Sequence, residues 1–131
     1  MFIDTSGWFS IFDSREIRHK TAFSLYESAP QRVTHSYVLA EFVALSDARK
    51  KYRPEMLRFL SDLLNDLEID VIWIDETLTL SAVELLNQRR DKNWSLCDAV
   101  SFVIMESEGI AEALTTDHHF EQAGFVKLLD S

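Results

Sequence analysis

Short apolar runs alternate along the chain with longer stretches of helical spacing. Phe2-Ile3 reads as a very short strand, ended by Asp4-Thr5-Ser6-Gly7. A helical stretch is expected from about Arg15 to Glu27, stopped by Pro30, and Arg32-Val33-Thr34-His35 reads as a second strand. Ser36 is placed to cap a helix with Val38, Leu39, Phe42, Val43 and Leu45 on one face. Pro54 suits the first turn of the next helix, to about Leu67. The β-branched and aromatic run Asp70–Ile74 reads as a third strand. Helices from Asp75 to Gln88 and from Ser95 to Ser107 follow, the second ended by Gly109. Ala113–Thr116 is a fourth strand, Asp117–Gln122 a short helix, and Phe125–Leu128 a fifth strand.

Strands alternating with helices imply an α/β fold with a parallel sheet covered on both faces. In such sheets, binding sites form beyond the C-terminal strand ends, where the strand order reverses. Chemistry is therefore sought immediately after strands and at helix starts.

Length and composition narrow the class. The 131 residues are read as one domain, 1–131, and the hydrophobic fraction of 47% suffices for a core. No apolar run approaches the ~18 residues of a membrane helix, and Met-Phe-Ile-Asp does not open like a signal peptide. Cys97 stands alone, so neither an internal disulfide nor a cysteine metal motif is possible. These features are read as those of a cytoplasmic protein without a membrane role.

The net charge of −9 opposes nucleic acid on average, but the cations are clustered. Arg49, Lys50, Lys51 and Arg53 form one group, and Arg89, Arg90 and Lys92 another, together seven of the thirteen basic residues. They read either as solvated helix ends or as a rim that contacts phosphates.

Four acids carry the chemistry. Asp4 and Asp117 each follow a strand, and Asp98 lies at a helix start; each could simply cap a helix. Ser95 and Asp98 resemble a capping box, yet Asp98 and Ser101 also form a polar stripe on an otherwise apolar helix, which needs partners if buried. Glu41, taken alone, reads as a solvated mid-helix residue. As a set the four are more informative: carboxylates converging in a dry cleft repel one another and call for a cation. Oxygen ligands without His or Cys favour Mg²⁺ or Mn²⁺ over Zn²⁺. His118 and His119 read as accessory or surface residues, His19 and His35 have no evident partner, and Asp75 reads as a plain N-cap. Asp91 fits either a supporting acid or a charged loop. The chain has no G-x-G-x-x-G, P-loop or G-x-S-x-G pattern.

Four segments resemble the PIN domain family, and within it VapC-type toxins. They are Ile3-Asp4-Thr5-Ser6, Glu41 in its helix, Trp94-Ser95-Leu96-Cys97-Asp98-Ala99-Val100-Ser101-Phe102 and Leu114-Thr115-Thr116-Asp117-His118-His119-Phe120. Cys97 stands where the family often has Thr or Ser. The resemblance implies a three-layer α/β/α sandwich around a five-stranded parallel sheet of order 3-2-1-4-5. It implies a Mg²⁺- or Mn²⁺-dependent endoribonuclease, the toxin of a type II toxin–antitoxin pair, acting as a homodimer and restrained by a cognate antitoxin. Asp4, Glu41, Asp98 and Asp117 would be catalytic, with Asp4, Asp98 and Asp117 on the metal, and Thr5, Ser6, Ser101 and Thr116 orienting them. Two other readings remain open: a non-catalytic protein-interaction module whose acids only cap helices, and a metal-dependent phosphatase or DNA nuclease with the same acidic cup.

Overall fold

The computed structural model describes residues 1–131. Five strands and seven helices alternate: β1 (Phe2–Ile3), α1 (Thr5–Phe12), α2 (His19–Ser28), β2 (Arg32–His35), α3 (Ser36–Ala48), α4 (Arg53–Asn65), β3 (Ile69–Ile72), α5 (Glu76–Gln88), α6 (Leu96–Glu108), β4 (Glu112–Leu114), α7 (His118–Gln122) and β5 (Val126–Lys127). All strand pairs are parallel, in the order β3-β2-β1-β4-β5. Phe2 faces Val33 on one side and Ala113 on the other, so β1 is the centre of the sheet.

The layers follow from the handedness of crossover connections. The chain runs outward from β1 to β3 with α1–α4 in the crossovers, then returns across the sheet to β4 and β5 with α5–α7. Right-handed crossovers in opposite directions put these two helix groups on opposite faces. The packing agrees: α1 meets α2 and α3, α3 meets α4, and α6 meets α5 and α7. Between β1 and β4 the direction of winding reverses, which opens the crevice where such sheets bind ligands.

The core is built from the strands outward. Phe2, Ile3, Val33, Ala113 and Leu114 are fully buried, as continuous runs in a doubly covered sheet must be. Phe2 stacks on Phe120 of α7, and Phe102 of α6 meets that ring edge-on. On the other face Phe12, Phe42 and Phe59 pack together. Thr34 tolerates burial because its Oγ1 accepts from Trp8 Nε1 and donates to the Ile3 carbonyl.

Two local expectations are corrected. Thr5-Ser6-Gly7 does not end in a loop: it begins α1, and the expected helix from Arg15 is shorter, starting at His19. Gly7 looks like a breaker in sequence, but its missing Cβ lets α1 lie against β4. A Cβ there would stand 2.2 Å from the Leu114 carbonyl oxygen. Ser36 does not cap α3. His35 does, through Nδ1 accepting from the Val38 N–H, while Ser36 Oγ accepts from Ile74 N–H. No helix is long and apolar enough to cross a membrane.

Alanine in a helix normally stabilises relative to glycine. Here backbone blocks the new methyl group, and Gly7→Ala is expected to destabilise by about 1–3 kcal/mol in urea unfolding. Equal or greater stability would show that α1 does not need this approach.

Candidate active site at the strand reversal

The crevice between β1 and β4 gathers Asp4, Asp98 and Asp117, with Glu41 beside them. Asp4 follows β1 and is buried, yet it makes no capping hydrogen bond to α1. Its Oδ2 instead accepts from Thr115 Oγ1 at 2.9 Å. That hydroxyl also accepts from the Asp117 N–H at 3.0 Å. Ser6 Oγ accepts from the Thr116 N–H at 3.0 Å and lies 3.2 Å from Thr115 Oγ1. The only Thr115 hydroxyl proton is committed to Asp4, so Ser6 must donate to Thr115. A directed chain results, from the Thr116 amide through two hydroxyls to the Asp4 carboxylate.

Asp98 and Asp117 are caps as well as candidate ligands. Ser95 and Asp98 form a reciprocal capping box on α6, at 3.0 Å in each direction. Asp117 Oδ1 accepts from the His119 N–H at 2.9 Å and so caps α7. Glu41, exposed on α3, accepts from Thr5 Oγ1 at 3.0 Å through Oε1. Each of the four carboxylates is thus held through one oxygen. The other oxygen of Asp98, Oδ1, and of Asp117, Oδ2, has no donor, while the Thr5 N–H also bears on the Asp4 carboxylate and the Cys97 thiol on that of Glu41.

This arrangement is electrostatically uncomfortable. Burial, reinforced by the charges of Asp98 and Asp117, pushes the Asp4 carboxyl up to about 7 in spite of its hydrogen bonds. Cys97 packs behind the cup; burial raises its thiol pKa, and Glu41, Asp4 and Asp98 raise it further. It therefore stays protonated and offers Glu41 a weak S–H donor, where a hydroxyl would have been stronger. A divalent cation suits this donor set: hard carboxylate oxygens, Asp98 Oδ1 and Asp117 Oδ2 among them without a donor, with excess negative charge between them.

Some expected residues are elsewhere. Ser101 orients no carboxylate; it accepts from His35 Nε2 at 2.8 Å and donates to the Cys97 carbonyl. Nδ1 of the same ring is an acceptor, so Nε2 carries the proton, and burial pushes this histidine down to about 4 and keeps it neutral. Thr116 contributes its N–H to Ser6, whereas Thr115, the side chain on Asp4, was not among the expected residues. Thr5 and Ser6 do reach the site, through Glu41 and Thr115.

The expectation of an all-oxygen site without histidine also needs correction. His119 Nδ1 lies 2.9 Å from Asp98 Oδ2 and 3.5 Å from Asp117 Oδ1. Its ring bridges two acids from different elements. The signal was present in Asp117-His118-His119, but adjacency to an acid says nothing of which way a ring points. His19 also finds a partner, the Ser10 carbonyl.

The two cation groups differ in position. Lys51 pairs with Asp13, the C-cap of α1, and Arg49 lies over Phe9, so this group sits at the far end of α1 from Thr5, about 12 Å along the helix. Arg53 pairs with Asp47, and Lys50 takes a left-handed backbone conformation. Arg89 pairs with Asp91 through two bonds of 3.1 and 3.2 Å and lies over the ring of Trp94, immediately before the Asp98 capping box. Asp91 is thus an ion-pair partner of Arg89, with Lys92 at 4.0 Å. Arg90 donates to Asn87.

A parallel sheet of this order, with acids from β1, α3, α6 and the β4–α7 junction at its reversal, is the PIN architecture. The chain belongs to the PIN domain family, whose profile matches residues 1–126. It is similar to the 23S rRNA-specific endonuclease VapC20 of Mycobacterium tuberculosis, with 32% identity over 129 residues, 98% of this chain and 97% of that protein. The crystal structure of that VapC20, described as a sarcin–ricin loop cleaving toxin, superposes with a TM-score of 0.86 at 31% identity over 96% of each chain. A toxin–antitoxin complex from Klebsiella pneumoniae shares the fold, with a TM-score of 0.67 at 14% identity over 99% of this chain and 98% of that one.

Asp4 gives the site a pH signature. Its carboxyl is protonated more readily in the folded chain than in the unfolded one, where its value is near 3.8. The stabilisation this provides is full below about pH 4 and is lost as pH rises through about 7. Without divalent cations, the stability of the parent relative to Asp4→Asn should fall across this window in urea titrations at successive pH values. A difference independent of pH would mean that Asp4 titrates as an ordinary surface acid.

Proposed function

We propose that this chain is a divalent-cation-dependent endoribonuclease, the toxin of a type II toxin–antitoxin pair. The observation that carries the proposal is the convergence of Asp98 and Asp117, each with one tethered and one open oxygen, on the buried Asp4 at the strand reversal. Capping alone explains the tethered oxygens of Asp98 and Asp117; it does not explain why an uncapping, buried Asp4 is placed among them. Likeness over nearly the whole length of a 23S rRNA-specific endonuclease makes RNA the substrate class to test, and 23S rRNA the first molecule.

In this reading Asp4, Asp98 and Asp117 hold Mg²⁺ or Mn²⁺. When bound, the cation offsets charge on the scissile phosphate and makes water a better nucleophile. The chain's own groups do the positioning. Thr115 fixes the Asp4 carboxylate, the Ser95 amide and His119 fix that of Asp98, and the α7 amide fixes that of Asp117. Thr5 aims Glu41, whose exposed carboxylate would orient the attacking water and take its proton. Arg89, Arg90 and Lys92, beside the α6 start, are better placed to hold the RNA backbone than Arg49, Lys50, Lys51 and Arg53.

An antitoxin and a second copy of the chain are the protein partners proposed. Exposed apolar side chains support both surfaces: Phe23, Leu57 and Leu64 on α2 and α4, and Trp73, Leu80 and Val83 after β3 and on α5.

Asparagine caps a helix about as well as aspartate, so Asp98→Asn should fold. It should nevertheless lower Mg²⁺- or Mn²⁺-dependent RNA cleavage by about 100-fold or more, equivalent to about 2.7 kcal/mol in the transition state. Parallel assays on DNA and a phosphate monoester separate the nuclease and phosphatase alternatives, and EDTA-insensitive inertness toward all three would favour the interaction module. A folded Asp98→Asn with parental RNA cleavage would remove Asp98 from the mechanism.

Cation binding should also be visible without catalysis. At ten times its dissociation constant, Mg²⁺ should stabilise the parent by about 1.4 kcal/mol and raise its melting temperature by about 5 °C. No rise at saturating millimolar Mg²⁺ or Mn²⁺ would contradict a preformed site.

A further inference from the structure

Asp117, His118 and His119 place one potential metal-ligating atom each within 4.8 Å of one another. Asp117 Oδ1 lies 3.7 Å from His118 Nδ1 and 3.5 Å from His119 Nδ1, and the two imidazole centroids are 4.5 Å apart. Donors at about 2.05 Å around a tetrahedral ion are separated by about 3.3 Å, close to the spacings from Asp117 Oδ1 to the two rings. Asp98 Oδ2, 2.9 Å from His119 Nδ1, is the nearest further carboxylate. His118 is 65% exposed at the side chain, forms no hydrogen bond and packs in no core, yet its Nδ1 turns toward Asp117.

We propose that Asp117, His118 and His119 form a site for a borderline transition-metal ion, Zn²⁺, Co²⁺ or Ni²⁺, separate in donor chemistry from the oxygen cup but sharing Asp117 with it. Two imidazoles and one carboxylate are poor ligands for Mg²⁺ and good ones for these ions. The site has ready access from solvent, since the His118 ring is exposed and Asp117 only half-buried. His119 Nδ1 now donates to Asp98; on binding, Nδ1 gives up this proton and its lone pair takes the ion, while Nε2 carries the ring's N–H. The Asp98 contact is then released and Asp117 Oδ1 is occupied. The consequence for catalysis rests on the nuclease reading above: an ion on Asp117 Oδ1 sets a second positive charge beside the Oδ2 offered to the hard cation and releases Asp98 from His119, and so inhibits RNA cleavage. Binding itself does not depend on that reading.

The test titrates the whole protein with Co²⁺, followed by its visible absorption, and then displaces Co²⁺ with Zn²⁺. The parent should give an intense ligand-field band that Zn²⁺ abolishes. His118→Ala, at an exposed position, should fold, lose the band and bind Zn²⁺ at least about tenfold more weakly. Its melting temperature should respond to Mg²⁺ as the parent's does. A parent without the band, or a His118→Ala protein that binds Co²⁺ and Zn²⁺ as the parent does, overturns the site. If the chain cleaves RNA, Zn²⁺ should inhibit the parent in saturating Mg²⁺, while His118→Ala cleaves normally and resists inhibition. If it cleaves none, the nuclease reading fails and the absorption and displacement data still decide the metal site.

Discussion

The structure turns on a buried carboxylate that water cannot stabilise. Asp4 sits at the end of the central strand, its charged form opposed by burial and by two neighbouring acids. Isolated ionised carboxylates are not left in such places without a partner, because desolvation costs several kcal/mol. The Thr5 N–H and the Thr115 hydroxyl offset only part of this. What remains is a standing demand for positive charge, and the oxygens not already tethered are where it can be met. A surface Asp at a helix start makes no such demand.

Thr115 is the joint of the site. It is the first residue after β4, fully buried, and its single hydroxyl contacts Asp4, Asp117 and Ser6. Strand β1 and the β4–α7 junction are thereby locked in register beyond the point where the sheet's own hydrogen bonds end. Gly7 makes this possible from the other direction, since α1 must lie on the Leu114 carbonyl for Ser6 to reach Thr115. A packing feature and an electrostatic feature are therefore one feature: the close approach of α1 to β4 both fills space and delivers the hydroxyl.

Much of the fold was legible in the chain. Long segments with one dominant period, such as Leu96–Glu108 and Glu76–Gln88, fell within a residue or two of their expected limits, because caps at Ser95 and Asp75 and the left-handed Gly109 mark their ends. The strand order came with the family resemblance; periodicity alone yields no neighbours. Helix α1 was missed because Ser6 and Gly7 carry the local signature of a turn while serving tertiary contacts. His35 escaped for a related reason. A histidine N-cap is uncommon beside Ser36, and its burial between Ser101 and the α3 amides depends on packing that no local pattern encodes.

The four acids of the candidate site stand out in the sequence, and the side chains that hold them do not. Asp98 and Asp117 looked ambiguous in sequence because capping and ligation were weighed as alternatives. A carboxylate has two oxygens, and here one oxygen closes the helix while the other is free. Capping even favours ligation, since it fixes the side-chain torsions whose freedom a bound ion would otherwise have to restrict. An Asp at a helix start beyond a strand end is therefore weak evidence for a site when alone. It becomes strong when a second acid nearby caps nothing, as Asp4 does. That contrast, invisible until the hydrogen bonds are counted oxygen by oxygen, separates an acidic cup from a row of helix ends.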